Sequence, residues 1–148
     1  MLNTQDLEHM KILIDTDVLS EARKPEGHAM VKERLAAAAP GDLFLSVISI
    51  GEVAHGIARL PAGAKRRELE AWLAVTESHF ADRILPIDRD IAELWGEITA
   101  KAANAGRTLH AADGLIAATA LRHGLRIMTR NVADYEPTGV PLVNPWDA

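Results

Sequence analysis

Apolar runs of strand length alternate along this chain with longer stretches at helical spacing, and that alternation limits the possible folds more than any other feature. It is the pattern of an α/β domain with a central, mostly parallel sheet of four or five strands flanked by helices, because parallel strands need a crossover between them. The strand candidates are "ILI" (Ile12 to Ile14), "LFLS" (Leu43 to Ser46), "RILPI" (Arg83 to Ile87), "LRIMT" (Leu125 to Thr129) and "PLVN" (Pro141 to Asn144). Pro86 and Pro141 push their strands toward the sheet edges, since proline cannot donate to a ladder. "ILI" is apolar throughout, as strands covered on both faces are.

The helical stretches have their own punctuation. "HAMVKERLAAAA" ends before Pro40 and Gly41, and "SIGEVAHGIARL" places Ile50, Val53, Ile57 and Leu60 on one stripe, with Ser49 and Glu52 at capping-box spacing. "KRRELEAWLAVTESHF" carries Leu69, Trp72, Leu73, Thr76 and Phe80 in the same way. "DIAELWGEITAKAANAG" opens with Asp90 and Glu93, again at capping-box spacing, and stops at Gly106. "HAADGLIAATALRHG" is small and apolar on nearly all sides, which predicts deep burial, with Gly124 as its C-cap. The residues after "ILID" are read as extended chain and loop.

At 148 residues and 48% hydrophobic composition the chain suits one domain. Residues 10–148 are assigned to that domain, and the polar, patternless Met1 to His9 to a poorly ordered extension. Cysteine is absent, which excludes disulfides, thiolate metal sites and cysteine catalysis. No apolar run nears the roughly 20 residues that span a bilayer, and the first residues lack a signal peptide's apolar stretch, so the expected compartment is the cytoplasm and no membrane partner is expected. The net charge of −5 repels nucleic acid, so such a partner needs local basic contacts. Lys65, Arg66 and Arg67 form one cluster and Arg122, Arg126 and Arg130 another; short clusters of this kind are ordinarily solvated helix faces.

The acids are placed more tellingly. Asp15 and Asp17 follow the first strand, Glu52 sits early in the helix after the second, Asp113 opens the buried helix, and Asp134 follows "LRIMTRN". In an open α/β sheet, strand C-termini and the N-termini of the following helices share the ligand-binding edge, so these acids can converge. Each also has a bland reading: Glu52 completes a capping box, Asp113 complements a helix N-terminus, and Asp134 suits a turn. Asp15 is the hardest to dismiss, because a carboxylate ending a buried strand needs a partner and no basic residue lies near it in sequence. Several carboxylates on one edge repel one another unless a divalent cation offsets them. Oxygen-only ligands select Mg²⁺ or Mn²⁺, and the chemistry that follows is attack of metal-activated water on a phosphodiester.

Four stretches, "ILIDTDVLSE", "LFLSVISIGEVAHGI", "HAADGLIAATALRHG" and "TRNVADYEPTGVPLVNPW", resemble in order the signatures of PIN-domain ribonucleases, specifically the VapC and FitB toxins of type II toxin–antitoxin pairs. The resemblance runs from about Met10 to the C-terminus. It implies a PIN-like fold, a Mg²⁺- or Mn²⁺-dependent endoribonuclease, an RNA substrate, a homodimer, and a cognate antitoxin through which alone the pair meets DNA. Carried over by position, the catalytic and metal-binding acids are Asp15, Glu52, Asp113 and Asp134, with Asp17, Thr129 and Asn131 in support. Arg130 and Arg59 are weaker candidates for phosphate contacts. Two positions depart from the pattern: the family usually has asparagine or serine where Asp17 stands, and often proline at His110, which is read here as a residue leading into a helix.

Two alternatives stand beside this reading. "DTD" after an apolar strand also suits a haloacid-dehalogenase-type phosphatase with Asp15 as nucleophile, and Lys65 with Asp88 and Asp90 would supply its later motifs. That scheme has Leu19 where threonine or valine is needed, and leaves Glu52 and Asp113 without a role. The other alternative is a non-catalytic PIN-like module that binds RNA or protein, against which the presence of all four acids argues.

Overall fold

In the computed structural model, which describes residues 10–147, the five apolar runs become five strands: β1 (Ile12–Ile14), β2 (Leu43–Ser46), β3 (Ile84–Leu85), β4 (Arg126–Met128) and β5 (Leu142–Val143). The expectation for residues 1–9 lies outside the described residues. Every pairing is parallel, in the order β3-β2-β1-β4-β5. The strands that carry or adjoin Pro86 and Pro141 are therefore the two edges, as the missing amide donors require. The strand order reverses between β1 and β4, and such a reversal leaves a crevice outside the carboxyl ends of the two strands.

Seven α-helices connect and cover the sheet: α1 (Thr16–Arg23), α2 (Ala29–Ala37), α3 (Val47–Ala58), α4 (Ala64–His79), α5 (Arg89–Asn104), α6 (Ala111–His123) and α7 (Val132–Tyr135). Strand residues alternate between two apolar layers, as a period of two demands. Leu13 and Ile127 pack with α5 and α6 residues such as Ile91, Ile98 and Ile116. Ile12, Ile14 and Met128 face the other way, toward Val18 and Leu19 of α1 and Val31 of α2. β1 is buried at all three positions, which is why "ILI" shows no polar alternation.

Four local expectations need correction. α1 begins directly after β1 with Asp15 as its N-cap, whereas the sequence reading had extended chain there. α3 starts three residues earlier than the Ser49 cap implied, because Ser46 ends β2 and accepts from the Ile48 amide at 3.0 Å. Glu52 therefore belongs to no capping box with Ser49, which is fully buried inside the helix. α5 is capped by Asp88, which accepts from the Ile91 amide at 2.8 Å, so the Asp90 and Glu93 pair is not its cap. Asp134 lies in the first turn of a short helix, α7, rather than in a plain turn. α6 is as expected: six of its thirteen residues are buried, and it ends on Gly124 in the left-handed conformation.

Candidate active site

β1 delivers Asp15 to the C-terminal edge of the sheet beside the end of β4. The Asp15 amide donates to the Met128 carbonyl at 2.9 Å, which continues the β1–β4 ladder one residue past the strand. Its carboxylate is only 6% exposed, and the partner missing from the sequence is Thr129. Thr129 Oγ1 donates to Asp15 Oδ2 at 2.8 Å, while Oδ1 accepts from the Thr16 amide at 2.9 Å. Both oxygens are thus held by neutral donors. The α1 N-terminus adds a favourable dipole for the negative charge.

The other acids reach the same edge. Glu52, exposed on α3, is held by a bond from Thr16 Oγ1 to its Oε1 at 2.7 Å. Asp113 is half-buried in the first turn of α6, and its pKa is raised, first by desolvation and then by the charges of Asp15, Asp134 and Glu52. The charges of the other three acids thus all act on Asp113 in the same direction. Among the groups felt there, His110 alone opposes the rise; it is the exposed N-cap residue of α6, as expected for a residue leading into a helix.

Asp17 lies in the first turn of α1, so helical rather than extended geometry sets its direction. Its carboxylate turns to the loop after β4 and accepts from the Arg130 amide at 3.0 Å and from Asn131 Nδ2 at 3.4 Å. Burial, then the neighbouring Asp15 charge, push its pKa up to about 6 against these bonds. Thr129 and Asn131 are both in this network, since the Asn131 amide donates to Thr129 Oγ1 at 3.0 Å.

The basic candidates are less central. Arg130 lays its guanidinium over the Trp146 ring at 5.0 Å, and Arg59 is the exposed C-cap residue of α3. Arg66 pairs with Glu70 and Arg122 with Asp90, as solvated helix faces do. Three contributors escaped the sequence reading. Thr16 tethers Glu52, and its role was hidden because the segment was not read as a helix. Arg23 lies over Trp72 at 5.8 Å in a cleft of about 210 Å³ that also opens onto Thr16 and Glu52. Tyr135 is completely buried on α7, and burial, then the Asp15 and Asp113 charges, hold its pKa well above the usual phenol range. Only the DTD spacing and the aromatic following Asp134 could have signalled the first and last.

Carboxylate oxygens are the donors a hard divalent cation takes. Among the described residues, no group of three or more acidic or histidine side chains is drawn tightly enough to enclose an ion.

Residues 12–133 match the PIN domain family. The chain is similar over nearly its whole length to the toxin FitB of Neisseria gonorrhoeae, with 37% identity covering 91% of this chain and 98% of that one. It is 35% identical to a VapC ribonuclease of Sinorhizobium fredii, covering 92% and 98% of the two chains. Its backbone superimposes on the FitAcB crystal structure from Neisseria gonorrhoeae with a TM-score of 0.87 and 36% identity, over 93% of this chain and 99% of that one. The fold is that of a PIN-domain protein. Within that class, the chain belongs to the VapC/FitB family of ribonuclease toxins of toxin–antitoxin systems. The phosphatase alternative falls with this result, and in the structure Asp88 has the separate task of capping α5.

Proposed function

We propose that the protein is an endoribonuclease that uses Mg²⁺ or Mn²⁺ held by Asp15, Glu52, Asp113 and Asp134, with Thr129, Asn131 and Asp17 in support. The observation that carries this is the hydrogen-bonded junction at the start of α1, where Thr16 joins the buried Asp15 to Glu52; the raised Asp113 pKa, first through desolvation and then through the Asp15, Asp134 and Glu52 charges, agrees with it. When bound, the ion supplies an activated water for in-line attack on an RNA phosphodiester and stabilises the leaving oxygen. The chain's own contribution is to orient. Thr129 and the Thr16 amide fix the two oxygens of Asp15, and the Thr16 hydroxyl fixes Glu52, so the first turn of α1 aligns two acids at once. Partner contacts of this kind around metal-binding carboxylates set ligand orientation and affinity.

The family carries further expectations into this proposal. A cognate antitoxin is the natural protein partner: one structural relative, 35% identical with a TM-score of 0.87, is FitAB bound to a DNA fragment. DNA contact would run through the antitoxin, consistent with a net charge of −5 on the toxin itself. A homodimer acting in the cytoplasm completes the reading; among the described residues no helix is long and apolar enough to cross a membrane.

The test is direct. Purified protein should cleave RNA with Mn²⁺ and stop with a chelator, and Asp15→Asn should lose cleavage by about 10²–10³-fold or more while remaining folded. Metal-dependent cleavage that survives Asp15→Asn would refute the assignment. RNA binding without cleavage under any divalent metal would favour a non-catalytic module instead.

A further inference from the structure

We propose that Asp17 is a positioning residue that clamps the Thr129–Asn131 loop against the site, rather than a fifth ligand of the ion; the proposal rests on reading the acids as a metal centre. Its two oxygens face different ways. Oδ1 accepts from the Val18 amide at 2.7 Å, inside its own helix. Oδ2 accepts from the Arg130 amide at 3.0 Å and from Asn131 Nδ2 at 3.4 Å, with Thr129 Oγ1 at 3.5 Å. One carboxylate thus ties the start of α1 to two successive residues after β4, Arg130 and Asn131, and lies beside the hydroxyl of Thr129.

The clamp matters because of what that loop carries. A threonine hydroxyl has a single proton, and Thr129 gives it to Asp15 at 2.8 Å rather than to Asp17 at 3.5 Å. Asn131 N–H donates to the same hydroxyl, which leaves its proton directed at Asp15. Arg130 is held twice, by its amide on Asp17 and by its guanidinium on Trp146. Immediately beyond stands α7 with Asp134 and the buried Tyr135. If the loop lets go, Asp15 loses its side-chain donor and the segment bearing Asp134 loses its anchor.

A clamp needs only an oxygen acceptor, whereas a carboxylate that holds a divalent ion owes much of its affinity to its negative charge. Asparagine separates these requirements, because it keeps one carbonyl oxygen and loses the charge. Amide hydrogen exchange of the metal-free protein should show the Arg130 amide exchanging about 10–100-fold faster in Asp17→Ala, with cleavage in Mn²⁺ losing about tenfold in kcat and leaving KM for RNA within about twofold. Asp17→Asn should recover the Arg130 protection and most of kcat. Unchanged exchange in Asp17→Ala overturns the proposal, and so does an Asp17→Asn variant that keeps the protection but has lost Mn²⁺ binding as Asp15→Asn does. If Asp17→Ala does not fold, Asp17→Ser, whose side chain is too short to span to the loop, is read in the same way. Failure of the wild type to cleave any RNA would refute the metal-centre reading alone, since the exchange measurement needs no activity.

Discussion

Two helices carry acids to the same edge of the sheet by opposite means. α6 is buried over much of its length, and Asp113 rides in its first turn into a partly desolvated position where other acids raise its pKa. α3 leaves Glu52 exposed and holds it from outside, through the Thr16 hydroxyl at 2.7 Å. In the first case packing of the whole helix fixes the carboxylate; in the second a single hydrogen bond does. A buried charge is costly and rigid, whereas a tethered one is cheap to place and easy to release.

The largest expected effect separates stability from activity at α6. Asp113→Asn should lower Mn²⁺-dependent RNA cleavage by about 10²–10³-fold, and it should also raise the melting temperature of the metal-free protein at neutral pH. The sign follows from the raised pKa: the ionised form is the one the folded state disfavours, so removing the charge favours folding. Glu52→Gln should lose activity without the gain in stability, because a glutamine oxygen still accepts from Thr16. Cleavage assays with parallel thermal melts decide this, and an Asp113→Asn protein that melts lower than wild type would break the contrast.

Glycines on the two helices sharpen it next. A Cβ at Gly114 would meet Trp95 ring atoms of α5 at 2.8 and 2.9 Å, whereas one at Gly51 of α3 meets nothing within 4 Å. Gly114→Ala should therefore cost about 1–3 kcal/mol by overpacking, and displace the neighbouring Asp113. Gly51→Ala, in an exposed helical position, should stabilise by about 0.5–1 kcal/mol. Urea unfolding of both variants tests the difference; equal midpoints would show that α6 is not seated by that contact.

The tether can be cut separately. Thr16→Val keeps the bulk of the side chain and removes the hydroxyl, so Glu52 loses its donor. Cleavage should fall by about tenfold, at the low end for partners of metal ligands, with the melting temperature nearly unchanged. A Thr16→Val enzyme as active as wild type would mean that Glu52 is positioned by something other than the tether.

What was legible in the sequence follows the same division. β1, α6 and the two edge strands could be read because burial and proline leave one-dimensional signatures: an unbroken "ILI", an all-round apolar helix, and Pro86 and Pro141 beside short strands. The acids could be proposed as a set because strand ends and helix starts share an edge. The caps could not be read reliably, since Ser46, Ser49, Asp88 and Asp90 offer the same chemistry a few residues apart and the choice depends on where β2 ends and α5 turns. The tethers were hidden from local pattern for a stronger reason, and Thr129 was named in support only through the family resemblance. Thr16 to Glu52 and Thr129 to Asp15 join residues 36 and 114 positions apart, and nothing in the local pattern marks them.

Asp17 combines the two strategies, being both half-buried and bonded to a loop, and its titration gives a small effect confined to one pH interval. Its pKa rises from 3.8 to about 6 on folding, first through burial and then through the Asp15 charge. A carboxyl group with a raised pKa binds its proton more tightly in the folded state, so the stability it contributes is full below about pH 4 and is lost as pH rises through about 6. Metal-free wild type should therefore lose stability relative to Asp17→Asn across that interval. The relative change should be on the order of 1 kcal/mol, since partial exposure screens the interaction. Urea midpoints of the two proteins measured from pH 4 to 7 should diverge as pH rises; parallel curves would show that the Arg130 and Val18 amides offset the burial completely. In Mn²⁺ the divergence should shrink, because a cation near Asp15 removes the repulsion that helps raise the Asp17 pKa.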